Sequence, residues 1–238
     1  MNPLIRKLSA RDTLSSEERL TLDRLIVQTR DFERGQDVVC EGDRPTYSSL
    51  LLSGMACRYS LVGDGRRQIT AIHITGDFVD LHSFPLKVMD HSVAALTKCR
   101  FAMVPHDGLT RVTETHPHLT RLLWLSTLID ASIHREWIVA MGRRSALGRM
   151  AHLICELVYR LGVFDLADRT SVPMPLTQSD LSDALGLSLV HVNRTLRELK
   201  DGGVAIWLED SIAIRDWNKM VEIAEFNPSY LHLGVEPR

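Results

Sequence analysis

Apolar residues recur along this chain with two different periods, and the changes of period mark its organisation. In about the first 30 residues Leu22, Leu25 and Ile26 make a short helical face behind Ser15 and Glu18, a spacing that suits a reciprocal helix cap. From Phe32 to about Pro105 the texture shortens. Runs such as Val38-Val39-Cys40, Ser49-Leu50-Leu51-Leu52 and Gln68-Ile69-Thr70-Ala71-Ile72 are β-prone and separated by glycine turns at Gly35, Gly42, Gly54, Gly63-Asp64-Gly65 and Gly76. Many short strands at that spacing predict a sandwich or jelly roll.

Between His116 and Arg143 the turn signals vanish and a long helix is expected. It carries one apolar stripe through Leu119, Leu122, Leu123 and Ser126, and a second through Trp124, Leu128, Ala131 and Ile138. One stripe suffices to pack on the β domain, so the second, with Leu122 beside it, implies a partner helix. Gly142-Arg143-Arg144-Ser145 reads as a hinge. A further helix follows from Ala146 to Leu161, buried through Leu147, Met150, Leu153, Ile154, Leu157 and Val158, and then a polar loop from Asp165 to Pro175.

The densest signals lie next. Thr177 caps a helix with Asp180 in its first turn, Gly186 ends it, and Ser188 caps a second helix running from Leu189 to Lys200. Val192, Leu196 and Leu199 face inward at helical spacing, which leaves Val190, Asn193, Arg194, Arg197 and Lys200 outside. Asp201-Gly202-Gly203 stops the helix. Val204 to Leu208 and Ser211 to Ile214 form a hairpin, and Trp217 to Phe226 a closing helix. Cap, glycine turn, cap, basic outer face and hairpin in that order predict a winged helix-turn-helix that binds double-stranded DNA.

Composition narrows the rest. With 45% hydrophobic residues the 238-residue chain is not disordered, and no apolar run is long enough to span a membrane. The start, Met1 to Lys7, lacks the apolar core of a secretion signal. Cys40, Cys57, Cys99 and Cys155 are scattered, without a Cys-x-x-Cys pair, and read as reduced thiols of a cytoplasmic protein. Twenty-eight Lys plus Arg oppose 30 Asp plus Glu, net −2, so DNA affinity has to come from placed contacts on one helix rather than from bulk charge.

Phe32-Glu33-Arg34-Gly35-Gln36, Cys40-Glu41-Gly42-Asp43, Leu52-Ser53-Gly54, Gly76-Asp77-Phe78 and the segment Leu176 to Arg197 together resemble the Crp/Fnr family of bacterial transcription regulators, over roughly residues 32 to 215. The resemblance implies an α+β chain: a cyclic-nucleotide-binding-like jelly-roll sensor domain at 1–115, a dimerisation helix and hinge at 116–142, a winged helix-turn-helix at 143–217, and a C-terminal helix and tail at 218–238. It implies a non-enzymatic homodimer on a two-fold DNA site, with RNA polymerase as a partner. In the recognition helix Arg194 matches the family's base-reading arginine, whereas Val190 stands where the family has a glutamate. Val190 is therefore expected on a thymine methyl and Asn193 on an adenine. Thr177, Gln178, Ser188, His191, Arg197 and Lys200 complete the expected DNA face.

The cyclic-AMP-binding members carry Gly-Glu and Arg-Ser in the loop after Gly-Asp-Phe. Here Asp80-Leu81 and His91-Ser92 stand in their place, so the effector pocket is expected at Asp80, Leu81, His82, His91 and Ser92 without affinity for cyclic AMP. The clustered N-terminal cysteines of the iron–sulfur members are missing, so no such cluster is expected. The string Asp80-Leu81-His82-Ser83 resembles the haem-binding Cys-x-His-Ser of the carbon-monoxide sensors without its cysteine. That leaves a haem on His82, with Pro3 a residue too deep for the second ligand, as one alternative. A metal enzyme using His82, His91 and His73 is another, lacking a ligand triad and a general base in the sequence.

Overall fold

The computed structural model describes residues 2–163 and 171–237. The N-terminal helical region is two helices, α1 (Pro3–Ser9) and α2 (Ser16–Arg24), the second closed by the expected Ser15–Glu18 capping box. It ends sooner than the apolar pattern suggests, because β1 (Gln28–Phe32) begins at once. β1 is exposed except near Phe32 and so shows no alternation of apolar residues. There follow β2 (Asp37–Val39), β3 (Tyr47–Ser53), β4 (Met55–Leu61), β5 (Arg67–Ile74), a single-turn α3 (Ser83–Leu86), β6 (Ser92–Ala95) and β7 (Cys99–Pro105).

These strands form two antiparallel sheets, ordered β1-β7-β3 and β2-β6-β4-β5. Leu51, Phe101 and Met103 from the first pack with Val39, Ala56 and Val93 from the second in one apolar cluster, the interior of the jelly roll. Gly54 makes the β3–β4 turn at φ +96°, and a Cβ there would lie 2.5 Å from the Lys98 carbonyl oxygen, so no other residue fits without rearrangement.

α4 (His106–Thr115) leads into α5 (Pro117–Arg143), 27 residues with three apolar stripes rather than two. Leu119, Leu122 and Leu123 join Leu8, Leu22 and Leu109 beneath the N-terminal helices. Ile129, Ile133 and Trp137, which belong to neither expected stripe, pack between the barrel and the C-terminal region. Trp124, Leu128 and Ile138 stay exposed, at 64, 50 and 65%, and Ala131 is half-buried beside them. Within the expected hinge Gly142-Arg143-Arg144-Ser145, Gly142 still lies inside α5 and the chain turns at Arg144, whose ψ of 148° breaks the helix before Ser145 caps the next.

That next helix, α6 (Ala146–Gly162), is buried on almost every side. Of the expected polar loop, residues 165–170 lie outside the described residues, and Ser171–Pro173 is β8. α7 (Gln178–Leu185), α8 (Leu189–Asp201), β9 (Ala205–Trp207), β10 (Ser211–Ile214) and α9 (Trp217–Ala224) complete the domain, with β8 widening the expected hairpin to a sheet ordered β8-β10-β9. A 3₁₀ turn at Pro228–Leu231 brings the C-terminal segment back to α5 and α6.

His152 on α6 sits between Phe226 and Tyr230, with ring centroids 5.2 and 5.8 Å away. Burial, reinforced by Arg144, pulls its pKa down from 6.5 to about 4. Between those values the unfolded chain binds a proton that the folded chain refuses, so this stability is full above pH 6.5 and is lost as pH falls through 4. Replacing His152 by Phe is expected to flatten the stability profile in that window, read by urea unfolding, by up to about 1.4 kcal/mol per pH unit.

Candidate nucleic-acid interface and sensor cavity

The two helices of the helix-turn-helix are set by their termini. Thr177 accepts a hydrogen bond from Asp180 N at 3.1 Å while Asp180 Oδ2 accepts from Thr177 N at 2.9 Å, a closed capping box. Gly186 takes φ +61° to end α7, and Ser188 Oγ accepts from His191 N at 3.3 Å to start α8. Val192, Thr195 and Leu199 are buried and Leu196 is half-buried, which turns the opposite face of α8 outward. Val190 is 79% exposed, the highest value among the exposed large apolar residues of the described chain. His191, Asn193, Arg194, Arg197 and Lys200 are exposed around it, and Gln178 is exposed at the start of α7. Arg194 Nε lies 3.6 Å from Glu198 Oε1, an exposed ion pair that costs little to exchange for another anion.

Thr177 is differently placed from the rest of this set. Its hydroxyl is engaged by its own cap and by Arg34 Nη2 of the barrel at 3.3 Å. Arg34 also pairs with Asp180. Arg67 on β5 bonds Asp180 Oδ1 at 3.1 Å and Asp183 Oδ2 at 2.8 Å, and Gln68 Nε2 donates to the Asp183 carbonyl at 2.7 Å. α7 is thus clamped to the barrel by arginine forks. No sequence motif pointed to Arg34, Arg67 or Gln68, because each lies more than 100 residues from its partner.

A cavity of about 300 Å³ opens where the barrel, α1, α5, α6 and the C-terminal segment meet. Of the expected pocket residues, Leu81, His82 and His91 line it. Asp80 does not. It turns away and accepts from Ser49 N at 2.5 Å and Ser49 Oγ at 2.9 Å, and burial raises its carboxyl to about 6. Ser92 also points elsewhere, its hydroxyl accepting from Glu41 N. The rest of the polar wall is Lys7, Arg58, His73, Asp77, Asp130, His134 and Arg160, of which the sequence singles out only His73, in the metal alternative, and Asp77, in the Gly-Asp-Phe turn. They come from α1, β4, β5, the turn after β5, α5 and α6, so no spacing joins them. One local clue existed, since Glu156 and Arg160 stand four apart within an otherwise apolar helix face.

Most of these charges are paired. Arg58 Nη1 donates to Asp130 Oδ2 at 2.9 Å. Burial opposes the Asp130 carboxylate, but Arg58, with His73 and His134, outweighs it and holds the pKa at about 2. Asp77 is bonded by Lys7 and, at 2.8 Å, by Arg160, which also reaches Glu156 Oε1 at 2.9 Å. Burial alone would raise Asp77, yet these cations hold it well below the usual carboxylate range. Burial, then Arg58, lowers both His82 and His91 to about 4, so both are neutral imidazoles at pH 7. A haem on His82 does not fit this wall: Asp90 and the tilted ring of His91, 4.7 Å away, crowd the imidazole where a porphyrin needs broad apolar faces.

Residues 29–116 match the cyclic nucleotide-binding domain family and residues 148–223 the Crp-like helix-turn-helix domain family. The chain is 32% identical over 190 residues to the nitrogen fixation regulation protein FixK of Bradyrhizobium diazoefficiens, covering 78% of this chain and 77% of that one. It is 28% identical over 214 residues to the transcriptional activator protein FnrL of Cereibacter sphaeroides, covering 88 and 85%. Among solved structures, FixK2 from Bradyrhizobium japonicum superposes with a TM-score of 0.75 at 24% identity, over 82% of this chain and 96% of that one.

The clamp on α7 has a direct readout. Arg67→Ala removes contacts to both Asp180 and Asp183, partly exposed pairs that contribute up to about 1 kcal/mol each. Amide hydrogen exchange in α7 is expected to accelerate roughly tenfold, with exchange in the barrel strands β3 and β7 unchanged.

Proposed function

The chain belongs to the Crp/Fnr family of DNA-binding transcription regulators, and we propose that it acts as a homodimer on a two-fold operator, reading bases with the outer face of α8 under a signal other than cyclic AMP. The observation that carries this reading is that face itself: Val190, Asn193, Arg194 and Arg197 are exposed on a helix whose opposite side is fixed in the core.

In the major groove Arg194 suits a guanine, offering paired donors to O6 and N7. Asn193 suits an adenine, and Val190 a thymine methyl. Ser188, His191, Arg197 and Lys200 suit phosphates, with Gln178 at the edge. Thr177 reaches DNA only if α7 leaves the barrel clamp. The exposed Trp124, Leu128 and Ile138, flanked by Ala131, suit a second copy of α5, which sets two recognition helices against one duplex. The buried position of Leu122 assigns it to the chain's own core rather than to that seam. Contact with RNA polymerase and a cytoplasmic location follow from the family role, which is regulatory and not catalytic.

For the signal, the cavity supports a route to DNA. Asp77 on the barrel and Arg160 on α6 are directly bonded, so a ligand that moves the cavity wall acts on the first helix of the DNA-binding domain. Such a ligand has to differ in affinity between two arrangements. The cavity arginine Arg58 is already bonded to Asp130, so a cyclic phosphate would have to compete with that carboxylate for its guanidinium.

Operator selection is expected to return a half-site other than the family consensus. Arg194→Ala should cost about 1–3 kcal/mol at one base position and relax specificity there. Arg197→Ala should weaken all sequences alike and lower the salt slope by about one. A family-consensus site that is indifferent to Val190→Ala would refute the base assignments. Calorimetric titration with cyclic AMP is expected to show no tight complex, and a micromolar isotherm would overturn that part.

A further inference from the structure

We propose that the sensor cavity carries a binding site for a divalent transition-metal ion of the zinc class, held by His82, Asp90 and His91. One ligand atom from each residue lies within 4.8 Å of the other two. Asp90 Oδ1 is 2.6 Å from His91 Nδ1 and 3.9 Å from His82 Nε2. Ligand atoms on one tetrahedral ion with bonds of about 2.0–2.1 Å stand roughly 3.3 Å apart, so those two separations bracket the required one. Small side-chain rotations close the gap, and Asp90, 72% exposed in its side chain, is free to make them.

The loop is built to bring these residues together. His82 opens α3, and Lys87 at φ +69° reverses the chain directly after it. Met89 is buried, donates from its N to the Asp43 carbonyl and accepts from Gly42 N, which pins the returning strand. His91 is thereby set beside His82, eight residues after α3 begins.

Independent of that proximity, the ligand atom on His82, Nε2, is buried with no hydrogen-bond partner, and on the 9% exposed His91 the ring's other nitrogen, Nε2, is likewise unpartnered, so a half-turn of that ring offers either nitrogen to the ion. A buried, unpartnered imidazole nitrogen costs free energy that a bound group recovers. Two imidazoles and a carboxylate select a borderline transition ion over calcium or magnesium, which prefer all-oxygen shells. The neighbouring Arg58 opposes positive charge at both histidines, and the carboxylates of Asp130, bonded to Arg58, and of Asp90 act against it. Three protein ligands leave at least one coordination position facing the cavity, available to water or to a small molecule.

The site deepens the sensing role proposed above, but ion binding is read without DNA, so its failure and that role's failure are separable. Metal-stripped full-length protein is titrated with cobalt(II) and followed by visible absorption, with zinc competition. One ion per chain with the intense bands of a low-symmetry site is expected, displaced by zinc. Loss of an outer-sphere partner typically weakens a metal site 10–100-fold, so His82→Ala and His91→Ala should each weaken binding at least about 10-fold. His116→Gln, far from the cavity, should leave it unchanged. Asp90→Asn, at the exposed rim, tests the site without touching the core and should also weaken it. Binding only at millimolar cobalt overturns the proposal, as does unchanged affinity in Asp90→Asn or in the His82/His91 double variant. A further arm compares operator affinity with and without zinc: a change expected in the parent protein and absent in Asp90→Asn ties the ion to DNA binding, and an equal change in both overturns the link.

Discussion

A single buried carboxylate holds the three parts of this molecule in one arrangement. Asp77 follows β5 in the barrel, Lys7 reaches it from α1, and Arg160 reaches it from α6, the first helix of the DNA-binding domain. The carboxylate also accepts from Ile74 N, which closes the turn it sits in. Removing a charge from water costs several kcal/mol, and only a full set of partners offsets it. The barrel, the N-terminal helix and α6 are therefore energetically dependent on one another. Arg160 extends the chain to Glu156, whose other oxygen accepts from Trp137 on α5 and from Tyr230 near the C-terminus. Burial raises the Glu156 carboxyl against these partners, which offset its desolvation only in part, so the network tolerates a missing member poorly.

The second junction between barrel and DNA-binding domain is of another kind. Arg34 and Arg67 hold α7 from partly exposed positions, their side chains 43 and 27% accessible. Such pairs are screened by salt and contribute less than buried ones. One face of the domain is thus anchored deeply through α6 and the other lightly through α7. A rotation about α6 that gives up the lighter contact is the low-cost movement open to the structure.

Local features were legible in the sequence, and long-range ones were not. The capping boxes at Ser15 and Thr177, the Gly186 turn, the inward Val192 and Leu199 and the outward Val190 and Arg194 all follow from neighbours within a few residues. The exposed stripe of α5 was legible for the same reason. Two predicted pocket residues failed because a strand's alternation does not extend through an irregular loop: Asp80 had no pattern to say that it would turn onto Ser49. The cavity wall escaped because Lys7, Arg58, Asp130 and Arg160 share no period, only a place. The hinge at Gly142 to Ser145 was legible as a stretch, but the break falls at Arg144 rather than at the glycine, which a helix tolerates at modest cost, and its only marker is Ser145, the cap of α6.

The path of the chain's two end segments has a practical side. Arg11 reaches the Leu231 carbonyl, Glu236 N donates to the Arg11 carbonyl, and Leu4, Lys7, Leu231 and Leu233 all border the cavity. Substitutions or insertions within these two segments would therefore disturb the cavity wall and load the contacts around Arg11. The β4–β5 turn at Gly63-Asp64-Gly65, solvent-exposed and away from that wall, is the better place to carry a label.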